Sequence, residues 1–137
     1  MSTERNRQRE TFANAWNKHK LQQPLSDLEK HLVEVIALHP EYIDTIENLD
    51  QRIDHDYSTD NNPFLHLSLH LSLQEQIKTN RPQGISDIYQ SLLNKHQNIH
   101  QVEHLMMDVL AHTLWDAQQS GQLPDEKRYL LGLSAIQ

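Results

Sequence analysis

The stretch NPFLHLSLHLSLQEQ, residues 62–76, decides the fold, because it carries two conflicting periods. Leu65, Leu67, Leu69, Leu71 and Leu73 alternate with His66, Ser68, His70 and Ser72, the pattern of a half-buried strand. His66 and His70, four apart, would share one face of a helix. Three features select the helix. Asn62–Pro63 joins a capping side chain to the imino acid tolerated in a first turn. The continuation QEQIK breaks the alternation but suits a helix. No other stretch reads as a strand, and a strand without a partner is not stable.

On a wheel of 100° per residue, Ser68, Ser72 and Glu75 gather on one side, opposite His66, His70, Leu73 and Ile77. With the polar arc in water, both imidazoles point toward the core. That placement follows from the segment's own polarity.

Working outward, Thr3 is a candidate cap for a first helix carrying Phe12, Ala15, Trp16 and His19 along one side. The basic start ERNRQRE, with Arg5, Arg7 and Arg9 offset by Glu4 and Glu10, reads as that helix's solvated face. Ser26 and Glu29 form a capping box for a second helix, whose stripe of Leu28, Leu32, Val35 and His39 stops at Pro40. Pro40 opens a short third helix, PEYIDTIENL, and a polar connection follows through DQRIDHDYSTDNN. After TNRPQG, Ser86 or Asp87 is expected to cap a fifth helix through Ile88, Leu92 and Leu93. The longest helix runs from about Ile99 to Ser120 and ends at Gly121, and Pro124 starts a last one. The expectation is an all-α, compact bundle of about six or seven helices, a single helical domain over residues 1–137, with the helices from Pro63 and Ile99 packed centrally.

Composition excludes several classes of function. Nineteen acidic residues against 12 basic ones give a net charge of −7 in 137 residues, which argues against a duplex-binding surface. The chain has no cysteine, so it offers no thiolate zinc site and no iron–sulfur cluster, which fits a reducing compartment. A polar N-terminus and the lack of a long apolar run point to a cytoplasmic protein without a membrane span. Ten histidines spread along the chain are the compositional anomaly.

Several spaced motifs resemble a family of short, uncharacterised proteobacterial proteins catalogued as a domain of unknown function. They run from AW.KH near Trp16 and HPEY at His39, through NPFLH…LH…EQ, RP.GI and H..M…LW.AQ, to PDE at Pro124. The resemblance implies no established reaction. It places His66, His70, Glu75, Gln76, Arg81, Pro82, His104, Trp115 and Gln118 within family motifs. The family's pattern has an acidic residue where this chain has His112, so no role carries over there.

The candidate site is a metal centre of His66, His70 and His104, with Asp108 or Glu103 to fill the shell. Two imidazoles at i,i+4 can chelate one ion, and a third from the later helix would complete a three-ligand site. In that helix Val102, Met106, Val109, Leu110 and Ala117 form the main apolar face, and His104, Met107, Ala111 and Trp115 a second. Without thiolates the ions to expect are zinc, iron or manganese. An open position would activate water, and a closed shell would make the ion a structural staple. In the alternative, a non-catalytic adaptor or regulatory module with an unknown protein partner, the same imidazoles are neutral core residues bonded to backbone, Asp108, Tyr57 or Gln118. His96 and His100 read as solvent-facing, Trp16 and Trp115 as core anchors. A buried imidazole pair would also suit pH sensing, since histidine titrates near neutrality.

Overall fold

The computed structural model describes residues 4–49 and 62–137. Among them are seven α-helices and no strand: α1 (Glu4–Lys20), α2 (Asp27–Ala37), α3 (Ile43–Glu47), α4 (Pro63–Thr79), α5 (Ile85–His96), α6 (Ile99–Ser120) and α7 (Glu126–Ser134). The chain divides into two units, residues 1–68 and 69–137, and the division falls inside α4. None of the described helices is long and apolar enough to cross a membrane.

In the first unit α1 packs on α2 and α3. Its interior is built from Phe12, Ala15 and Trp16 of α1, Leu32, Val35 and Ile36 of α2, Ile46 of α3, and Phe64 and Leu67 of α4. The capping box forms as the sequence requires: Ser26 Oγ accepts the Glu29 N–H at 3.1 Å, and Glu29 Oε1 accepts the Ser26 N–H at 3.0 Å. Leu28 is exposed, so the buried stripe of α2 begins at Leu32. The expected third helix is split. Pro40–Tyr42 forms a 3-10 turn, and α-geometry starts only at Ile43. The cap expected of Thr3 and the connection after Leu49 lie outside the described residues.

The basic start is not uniformly solvated. Asn6 and Arg9 are buried, and the Arg9 guanidinium lies over the Phe64 ring, 5.0 Å from its centroid. A planar cation on an aromatic face keeps a favourable electrostatic partner after leaving water, which a polarity count does not register. Trp16 is a core anchor as expected, and its indole N–H donates to Glu47 Oε2 at 2.9 Å.

The second unit holds one apolar cluster. Leu73 of α4, Ile85 and Leu92 of α5, Val102, Met106, Met107 and Leu110 of α6, and Tyr129 and Leu133 of α7 form its buried part. Leu69 and Ile77 of α4 pack against it, so the α4 face opposite the serines points inward as the wheel requires. Gly132 lets α7 approach α6, since a Cβ there would meet Val109 Cγ1 at 3.0 Å.

Helix ends in this unit follow local chemistry with two revisions. Neither Ser86 nor Asp87 caps α5. Asn80 does so from the end of α4, its Oδ1 accepting the N–H groups of Gly84 and Ser86, while the Ser86 hydroxyl donates to the Ile77 carbonyl. Gly84 makes this reach possible with φ +104°, a conformation open to glycine. The last helix starts at Glu126 rather than Pro124, because Asp125 Oδ1 accepts the Arg128 N–H at 3.1 Å and sets the cap. Gly121 ends α6 in the left-handed region, as expected.

Candidate functional site

Helix α4 positions the central pair. Asn62 Oδ1 accepts the N–H groups of Phe64 and Leu65, each at 3.1 Å, which fixes where the helix begins and so which residues share a face. With the start set, His66 and His70 stand one turn apart on the inward side. His70 is fully buried and His66 half-buried.

In the first unit, His66 meets His39 at a ring-centroid distance of 4.6 Å, edge to face, and Tyr42 at 5.7 Å. His39 is buried at the junction of α2 and the 3-10 turn, and its Nδ1 lies 3.0 Å from Glu41 Oε1. Partial burial pushes the Glu41 carboxyl up, but its own backbone N–H and the His39 and His66 rings outweigh this and hold it below the ordinary value. An ionised carboxylate only accepts, so Nδ1 carries the proton. In the neutral ring Nε2 then bears the lone pair.

In the second unit, His70 Nε2 lies 3.1 Å from Glu103 Oε1, and Gln74 Nε2 donates to the same oxygen at 2.9 Å. Burial raises the Glu103 carboxyl, yet the hydrogen bonds from His70 and Gln74 and the nearby charges bring it below the ordinary value. By the same reasoning His70 holds its proton on Nε2, and Nδ1 bears the lone pair of the neutral ring. His104 lies 5.6 Å from His70 between ring centroids, and His100 lies 4.0 Å from His104 and 6.0 Å from His70.

Two imidazoles, His39 and His70, are thus each oriented by a carboxylate, the arrangement that outer-shell acids impose on metal-ligating histidines. Among the described residues, the imidazoles grouped to offer metal ligands are His39 and His66 in the first unit and His70 and His104 in the second. Three of the four are expected from the sequence, and His39 is not. Its signal was nevertheless present, since it continues the buried stripe of Leu32 and Val35.

Asp108 stands outside this group. It is exposed and lines an open cleft of about 840 Å³ with His112, Asp116, Asp125 and Arg128. The buried carboxylate of α6 is Glu103. Two further expectations are revised. His100 is half-buried against His104 rather than solvent-facing, and His96 is also half-buried, with a buried Nε2 that has no hydrogen-bond partner among the described residues. Trp115 is 54% exposed, stacked beside His112, and is no core anchor.

A family model described as Domain of unknown function (DUF1841) matches residues 4–135, so the chain belongs to that family. No curated protein and no solved structure matches it.

Proposed function

We propose that this member of the family binds a divalent transition-metal ion through imidazoles. His66 and His70, one turn apart on α4, are the chelating pair, and His104 of α6, beside His70 within the second unit, is a further ligand. The observation that carries the reading is the Glu103 carboxylate partner on His70, which fixes a tautomer in a ring that a purely apolar interior would leave unoriented. Neutral imidazoles without a thiolate suit zinc or iron(II) better than manganese, which prefers oxygen ligands. Three protein ligands with an open position would admit water, whereas a fourth would make the site structural. Asp108 takes no part in this proposal. The cytoplasmic location expected of a cysteine-free chain, and the lack of a nucleic-acid partner argued from the net charge of −7, belong to the same proposal.

Plasma mass spectrometry on protein purified without a histidine tag tests the reading. It should find about one ion per chain, as one shared site requires, lost in folded His66→Ala and His104→Ala variants. No ion after incubation with zinc, iron and manganese would refute it.

A protein partner belongs to a second reading, favoured by Leu114 and Trp115 on α6 and Leu131 on α7, all exposed apolar side chains. Under it, Trp115→Ser would abolish binding of the partner while leaving metal content unchanged.

A further inference from the structure

His100 stands outside the grouped imidazoles, yet its ring lies 4.0 Å from His104 and 6.0 Å from His70 within the second unit. It sits in the first turn of α6, one turn before His104, on a half-buried side chain next to the exposed Ile99. His70, by contrast, is fully buried. His104 is half-buried like His100, so the rings pass from a half-buried pair to the fully buried His70, separated by 4.0 and then 5.6 Å.

Such a gradient bears on how an ion enters. A hydrated divalent cation cannot shed its whole water shell before reaching a buried nitrogen without losing several strong bonds at once. A series of imidazoles lets each donor replace one water, so the shell is exchanged stepwise. The i,i+4 spacing of His100 and His104 also lets both rings hold the same ion from one helix face.

We propose that His100 is a transfer ligand, which takes the hydrated ion at the surface together with His104 and then yields it to His70. In the first step a His100 ring nitrogen forms a bond to the ion and one bound water leaves. In the second, the His70 Nδ1–metal bond forms and the His100 bond breaks, with no change in the ion's oxidation state. His104 stays bound throughout. This inference rests on the metal-site reading above.

The test uses the full-length protein, zinc alone and a chromogenic chelator, with equilibrium competition and stopped-flow exchange on one sample. His100→Gln should slow zinc association and dissociation by about tenfold each, a barrier effect, while the equilibrium constant stays within about threefold. His96→Gln, which removes another half-buried imidazole of the same unit, should leave both rates unchanged. Zinc affinity that falls about tenfold or more in His100→Gln, with faster dissociation, would make His100 a resident ligand and overturn the transfer role. Unchanged rates would overturn it too. A parent chain that binds no zinc would instead overturn the site reading beneath it.

Discussion

His39 and His70 hold the same kind of partner in opposite ways. His39 meets Glu41 two residues away, within the 3-10 turn, and that carboxylate is 59% exposed. His70 meets Glu103 from 33 residues away, α4 to α6, and that side chain is 6% exposed. A local pair needs only a turn, and here the carboxylate reaches water while the His39 ring stays buried. A distant buried pair exists only when the second unit is folded, and there one Glu103 oxygen accepts from both His70 and Gln74. The comparison teaches that one chemical motif can be a surface adjustment in one unit and a structural commitment in the other.

The largest effect should come from removing the distant carboxylate. Glu103→Leu leaves the buried His70 N–H and the Gln74 amide without their acceptor, and should cost about 2–3 kcal/mol in urea unfolding. Glu41→Ala removes an exposed acceptor and should cost less than about 1 kcal/mol. Equal costs would erase the distinction between the two pairs.

How much of this was legible follows from the same division between near and far. The start of α4 at Asn62–Pro63, the capping box at Ser26 and the end of α6 at Gly121 are written in adjacent residues, and all three formed. His66 and His70 were legible because a helix start and a polar arc together fix a face. Glu103 was not singled out over Asp108, since both lie on α6 and only the packing of α4 tells which one is covered. The Asn80 cap on α5 reaches across a turn with a left-handed glycine, so the nearer Ser86 and Asp87 were the natural but mistaken choice. Arg9 was read as solvated because charge alone does not reveal the Phe64 ring beneath it.

A smaller effect tests the second unit by a different polar contact. Tyr129 is buried and its hydroxyl donates to Gln76 Oε1 at 2.6 Å. Burial raises its phenol above the ordinary value near 10. The neutral phenol is the favoured form in the fold, so its contribution is fully present below pH 10 and is lost as pH rises toward the folded value. Tyr129→Phe should cost about 1 kcal/mol at neutral pH and reduce the alkaline loss of stability. Tyr89, raised by burial and by the Glu103 charge, should supply part of what remains.

The smallest effect belongs to the first unit. Glu47 is held below the ordinary 4.5 by hydrogen bonds from the Trp16 indole and Lys20, with the Lys20 charge assisting, against a smaller opposing effect of burial. Its contribution is present above that value and is lost as pH falls through the folded one. Glu47→Gln should therefore flatten the acid side of the stability curve slightly and leave the alkaline side alone. A shift on the alkaline side would contradict this assignment.

The central claim is that α4 carries a metal-chelating pair, and zinc-linked unfolding tests it most directly. An ion bound only by the folded chain, at one hundred times its dissociation constant, should raise parent stability by about 2.7 kcal/mol. His66→Ala and His70→Ala, each confirmed helical by circular dichroism, should show almost none of that gain. A parent whose unfolding curve does not move with zinc, iron(II) or manganese, or a gain that survives in both variants, would contradict the account.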